Sequence, residues 1–309
     1  MLATHAGTAH AGAWVPEPGH FYLELRGLFV TATQGFSPDG GRRQLKAGSS
    51  LTLSGAPGGA TPARLRDGAA LVYGEIGLAT RLAVVVDFTL VRSVTVERQD
   101  TRALSSVGVG DLHAGLRLVL LDEEVSCAIE AKLGIPTGRS DGEVPLGTGD
   151  LRGELTLHLG HVWERVPFFV QVALGAELRG SGTQRVESPS FMSSVHDVNV
   201  DYASELVYAA EVGYLARIGE RVRLSPSIRV DGVYGTRKPT TDEPASLEVD
   251  PIAPASMRYL RLTAQLAAEI RPSPKKPGAV VVGLGGGAFV WGQGLPAEGQ
   301  VTLALGYKR

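Results

Sequence analysis

Three short stretches of the chain hold residue types that do chemistry in other proteins. Ser193, Ser194, His196 and Asp197 fall together in MSSVHDVNVD, a nucleophile, a base and an acid. A triad converges through space, and sequence neighbours on a Ser-rich loop rarely form one. Asp141, Glu143 and Asp150 in RSDGEVPLGTGD offer oxygen ligands, but their spacing matches no calcium loop and reads as turn chemistry. The run Gly283 to Gly287 follows a strand pattern and opens no helix, so it reads as pliable strand and not as a phosphate loop. The single cysteine, Cys127, excludes an internal disulfide and a zinc cluster. The sequence therefore predicts no catalytic residue, no metal and no cofactor; a hydrolase is the weakest of the readings.

The remaining ionisable residues form a ladder that alternates with apolar residues. Its acidic members are Glu24, Glu75, Asp87, Asp111, Glu130, Glu154, Glu177, Glu205, Glu211, Asp231 and Glu269. Its basic members are Arg26, Arg117, Lys132, Arg152, Arg179, Arg223, Arg229, Arg261 and Arg271, and His113 and His158 stand among them. The histidines are expected to be hydrogen-bonded rather than metal ligands. The two signs nearly balance, so strong ion selectivity is not expected. Net charge is −2, so no nucleic-acid partner is expected.

Period-two alternation is the mark of strands. Leu23, Leu25 and Phe29 alternate with Glu24 and Arg26; Leu112, Leu116, Leu118 and Leu120 with Asp111, His113 and Arg117; Val170, Val172, Leu174 and Leu178 with Gln171, Glu177 and Arg179. About twelve such segments occur. Leu262, Leu266 and Ile270 also lie four apart, as on a helix, but alternation fits that segment better. Short connections near 79–80, 122–124, 164–165, 219–220 and 273–277 alternate with long ones at 35–68, 92–107, 134–150, 180–203, 235–256 and 291–297. Hydrophobic content of 43% rules out a disordered chain, and no run of about 18 apolar residues makes a membrane helix.

Two architectures share this alternation: a soluble barrel or sandwich, and a transmembrane barrel. The apolar stretches run about 9 to 12 residues, the span of a tilted membrane strand, and long loops on one side only belong to outer-membrane barrels. Aromatics gather near strand ends, with Phe21, Trp163, Phe168, Tyr214 and Tyr307 on the short-turn side and Tyr234, Tyr259 and Trp291 on the other, as interfacial girdles do. The expected fold is all-β: a transmembrane up-and-down antiparallel barrel of about twelve strands, with short periplasmic turns and long extracellular loops, in the bacterial outer membrane. Residues 20–309 form the barrel. Residues 1–19 form a periplasmic segment, either the remnant of a signal (Ala9-His10-Ala11 resembles the tail of a cleavage site) or a plug, and they are expected to be unanchored. Folding about the short turns brings together Arg117 and Glu130, Arg152 and Glu177, and Glu211 and Arg229.

The strings GVGDLHAGLRLVLL, AKLGIPTG and PLGTGDLRGELTLHLG, with AGAWVPEPGHFYLELRGLF at residues 11–29, are similar to the outer-membrane transporters linked to the meta-pathway of phenol degradation. The motif positions are Gly110-Asp111, Pro136-Thr137-Gly138 and Leu146-Gly147-Thr148-Gly149-Asp150. The resemblance covers residues 11 to about 180. The end departs from it: many outer-membrane barrels finish in an aromatic residue, and here Tyr307 is followed by Lys308-Arg309. The resemblance implies a channel or uptake protein for small molecules, hydrophobic or aromatic ones among them, inserted in the lipid bilayer by the barrel-assembly machinery. A plugged structural or adhesive surface barrel is the alternative.

Overall fold

The computed structural model describes residues 13–36, 42–47, 51–52, 61–98, 103–138, 146–147, 149–163, 166–187, 195–236, 240–241, 258–273, 278–293, 295–297 and 299–309. Twelve long antiparallel strands form the wall. They are β1 (Phe21–Ala32), β2 (Thr61–Ala79), β3 (Leu82–Arg98), β4 (Leu112–Asp122), β5 (Ser126–Ile135), β6 (Arg152–Val162), β7 (Phe168–Arg179), β8 (Glu205–Tyr214), β9 (Val222–Gly235), β10 (Arg258–Ile270), β11 (Ala279–Gln293) and β12 (Gln300–Lys308). Each pairs with its neighbours in sequence. β1 also pairs with β12, from Tyr22↔Lys308 to Val30↔Gln300, and this closes the sheet. Closure satisfies the edge amides that lipid would leave unpaired.

The side-chain faces are inverted relative to a soluble barrel. Leu116, Val172 and Leu262 point outward and are 51%, 43% and 45% exposed, whereas Glu24, Arg117, Glu130 and Arg261 are buried inside. An exposed band of Leu, Val, Ile and Phe around the whole wall fits acyl chains, not water. Leu116→Arg is accordingly expected to destabilise the barrel by about 2–4 kcal/mol in lipid, read as a lower unfolding midpoint in urea. On a water-facing surface the same change is close to neutral.

Phe21 packs on Tyr307 and Phe168 on Tyr214, with ring centroids 5.9 and 5.1 Å apart, at the short-turn end. At the other end Tyr234 and Trp291 face outward, and the Arg258 guanidinium lies over the Tyr234 ring. Tyr259, expected in this girdle, is instead buried inside and meets Phe289 edge-on at 5.4 Å. Alternation explains the correction: Tyr259 shares the parity of Arg261, which faces the lumen.

At the long-loop end the pattern of the wall reverses. Leu65, Val94 and Val96 face inward and are buried, while Arg64, Arg66, Ser93 and Thr95 face outward, with Arg66 paired to Glu97 at 3.2 Å. Here the wall has left the membrane and follows the soluble rule of apolar inside and polar outside. The segments expected as loops 35–68 and 92–107 therefore hold strand: β2 begins at Thr61, β3 runs to Arg98, and Leu104–Gly108 folds back onto Arg92–Val96. The expected loop at 180–203 likewise contains a ribbon, Ser181–Glu187 paired with Val195–Asp201. The segment with the helix-like spacing is β10.

Candidate functional site: the barrel lumen

Inward parity gathers the ionic ladder of the strands into the barrel lumen. Arg117 on β4 is its densest node. Its guanidinium donates to Glu75 on β2 at 2.9 Å, to the Tyr73 hydroxyl at 3.3 Å, and reaches Glu130 on β5 at 2.5 Å. Lys132 bridges Glu130 at 3.1 Å and Glu154 on β6 at 3.2 Å. His158 lies 4.0 Å from Glu130. Along β1, Glu24 takes bonds from both Tyr22 and Arg26. On the far wall Arg261 is 1% exposed and holds Asp231 at 2.7 Å and the Gln300 amide oxygen at 2.9 Å. Near the short-turn end Glu269 collects Lys308 at 2.6 Å, Arg271 at 2.9 Å and Arg223 at 4.0 Å.

The three cross-strand pairs drawn from hairpin folding stand at 2.5 Å (Arg117–Glu130), 3.6 Å (Arg152–Glu177) and 3.9 Å (Arg229–Glu211). The first and third are direct register partners, Glu130↔Arg117 and Glu211↔Arg229. The second is diagonal, because Arg152 faces Arg179 and Glu154 faces Glu177 across β6–β7. Like charges opposite one another repel. Asp150, buried between the two arginines, relieves the first clash: it accepts from Arg179 at 2.9 Å and from Arg152 at 3.3 Å.

Asp150 belongs to the Gly/Pro-rich connection between β5 and β6, and this segment turns inward. Gly138 donates its backbone N–H to Asp111 at 3.0 Å, and Thr137 donates its hydroxyl to the Gly110 carbonyl at 2.7 Å. Arg152 reaches Asp111 at 3.4 Å. Leu146 is buried against Ala32, Leu45, Ala63, Leu65, Val94 and Val96, and Arg92, held on Asp67 at 2.6 Å, donates to its carbonyl at 3.3 Å. Pro136 lies exposed at the rim; Gly147 is buried beside Asp111. Thr148, Asp141 and Glu143 lie outside the described residues. A second apolar cluster, Phe36, Val233, Tyr259, Phe289 and Ala297, stands across the same mouth. The extracellular mouth is thus narrowed by two apolar clusters, and the middle of the lumen is ionic.

Residues 13–20, the described part of the N-terminal segment, lie against the wall at the other mouth. Ala13 is fully buried, and Trp14 packs so closely on Gly160 of β6 that a Cβ there would lie 2.7 Å from its ring. The Trp14 carbonyl accepts from Arg117 at 3.3 Å. On β2, four strands away, the carbonyls of Pro16 and Glu17 would lie 2.3 and 2.4 Å from a Cβ on Gly77. Gly19 and His20 exchange backbone hydrogen bonds with Gly77 at 2.9 and 3.0 Å. Only glycine at 77 admits a backbone this close, and a larger residue at 160 would press on the Trp14 ring. The signal in the sequence is weak, since the anchors are carbonyls and missing side chains.

Between the two mouths lies a cavity of about 130 Å³. Arg26, Asp87, Lys132, His158, Arg229 and Tyr208 are among its walls. His113 is inward on β4 and packs on Gly134. Among the described residues no cluster of His, Cys, Asp and Glu could hold a metal ion. His196 and Asp197 lie on the ribbon strand Val195–Asp201, beyond the barrel wall; Ser193 and Ser194 lie outside the described residues.

A closed sheet with an apolar belt and an ionic lumen defines the class: a transmembrane β-barrel of the bacterial outer membrane. The chain is similar in structure to an outer-membrane channel from Pseudomonas putida F1, with a TM-score of 0.66, 14% identity, and 98% of this chain and 100% of that one covered. It is also similar to the translocator domain of the autotransporter NalP from Neisseria meningitidis, with a TM-score of 0.50, 10% identity, and 99% and 89% covered. Identities this low show the fold alone. No family model and no curated protein matches the chain.

Proposed function

We propose that the protein is an outer-membrane channel that admits small molecules by passive diffusion through a polar lumen. The observation that carries this reading is the lumen cavity of about 130 Å³. Twelve strands can be filled by side chains, yet here space remains between the constrictions. The ionic residues named from the sequence are the lumen lining in this reading. Their pairing keeps charge fixed on the wall and leaves little net field to select an ion. Catalysis has no part in it. The apolar clusters at the extracellular mouth suit hydrophobic or aromatic cargo, which agrees with the resemblance to transporters linked to the meta-pathway of phenol degradation.

In planar bilayers the purified protein is expected to give steady single-channel steps with weak cation-over-anion preference. A silent barrel that is folded and inserted supports the other reading, a plugged structural or adhesive surface protein.

A further inference from the structure

Among the described residues, five buried side-chain atoms have no hydrogen-bond partner. Four of them, Arg26 Nη2, His158 Nε2, Glu211 Oε1 and Arg229 Nε, belong to residues that line the same central cavity. Arg117 and Arg261, in the same lumen, have their guanidinium groups engaged several times over. A buried polar atom without a partner has lost its water and gained nothing in return, and a charged one loses most. Four of them around one cavity mark a place where a partner enters.

Their placement describes that partner. Arg26 on β1 stands across the barrel from His158 on β6, Glu211 on β8 and Arg229 on β9, by strand order. The partner must therefore be bipolar. Arg26 donates and calls for an anionic oxygen. Glu211 accepts through Oε1 and calls for a donor; Arg229, 3.9 Å from Glu211 and with its Nε 3.5 Å from Asp231, stands beside it and can also donate to an acceptor on the same group. A hydroxyl supplies both. The lining also presents the faces of Tyr73, Val85, Val207, Tyr208 and Val233, set among its charged side chains, and such faces pack on a ring. At about 130 Å³ the cavity limits the partner to one ring.

We propose that the central cavity binds a monocyclic carboxylate that carries a hydroxyl opposite its acid group. The carboxylate lies on Arg26, and the hydroxyl donates to Glu211 and accepts from Arg229. The proposal rests on the channel reading only in making this site a waypoint for cargo; the binding itself is separable.

The test is calorimetric titration of the purified barrel in detergent with 4-hydroxybenzoate, benzoate and toluene. 4-Hydroxybenzoate is expected to bind about tenfold more tightly than benzoate, the worth of one charge-assisted hydrogen bond, and toluene more weakly still. Glu211→Ala is expected to abolish the preference for 4-hydroxybenzoate over benzoate, and Arg26→Ala to weaken both acids, with folding of each checked by electrophoretic mobility. The ranking in the unaltered protein stands as a test even if a variant does not fold. Equal binding of toluene and the acids overturns the proposal, and so does no binding of any of the three, in which case the four groups are served by water. Conductance measured beside it separates the two ideas. A barrel that conducts without binding loses the site and keeps the channel; one that binds without conducting does the reverse.

Discussion

Replacing Arg117 by methionine is expected to destabilise the barrel by about 3–5 kcal/mol, the range for removing one member of a buried ionic network. Arg117 is 2% exposed and neutralises Glu75 and Glu130 together, one on each neighbouring side of the lumen. Once it is gone, Glu130 keeps Lys132, but Glu75 keeps only the Tyr73 hydroxyl at 3.0 Å. The cost comes mainly from the stranded carboxylate, so Glu75→Gln added to Arg117→Met is expected to recover much of it. Denaturant unfolding in detergent, followed by tryptophan fluorescence, reads both effects. A midpoint that moves little in the single variant means that water already screens these charges and that the lumen is wide.

Filling Gly77 and Gly160 with valine is expected to raise single-channel conductance several-fold. The N-terminal segment lies against the wall at the periplasmic mouth on those two glycines, with Pro16 and Glu17 against one and Trp14 against the other. A side chain at 77 cannot coexist with the backbone of Pro16 and Glu17, one at 160 displaces the Trp14 ring, and the barrel wall needs neither glycine for its own hydrogen bonds. Removing residues 1–17 is expected to have the same effect. Unchanged conductance in both variants places the limiting constriction at the extracellular mouth, where Leu45 and Leu146 are buried.

How far the sequence shows this depends on where the chain lies. Within the bilayer, lipid on one side and fixed charge on the other force strict alternation, so Leu116 and Arg117, or Leu262 and Arg261, declare their faces without a structure. Above the bilayer the solvent rule returns. Arg64 and Arg66 outside with Leu65 inside look polar and loop-like in sequence, although they continue β2. Tyr259 was misplaced because its aromatic type outweighed its parity. The inward turn at Leu146 depends on Asp111, Arg92 and Asp150, residues far apart along the chain, and side-chain pattern cannot show such a contact. The resting place of Trp14 depends on carbonyls and bare glycines, which carry no pattern at all.

The central claim is the inversion of faces, and spin labels test it most directly. In a Cys127→Ser background, single cysteines at 116, 172 and 262 are labelled in lipid vesicles, with one at Thr156, which is buried on the inner face, for comparison. The account predicts that labels at 116, 172 and 262 relax with dissolved oxygen and ignore a water-soluble nickel complex, as groups among acyl chains do, and that the label at 156 lacks this lipid signature. Labels at 116, 172 and 262 that are immobile and shielded from both reagents contradict it, for they report the packed interior of a soluble protein.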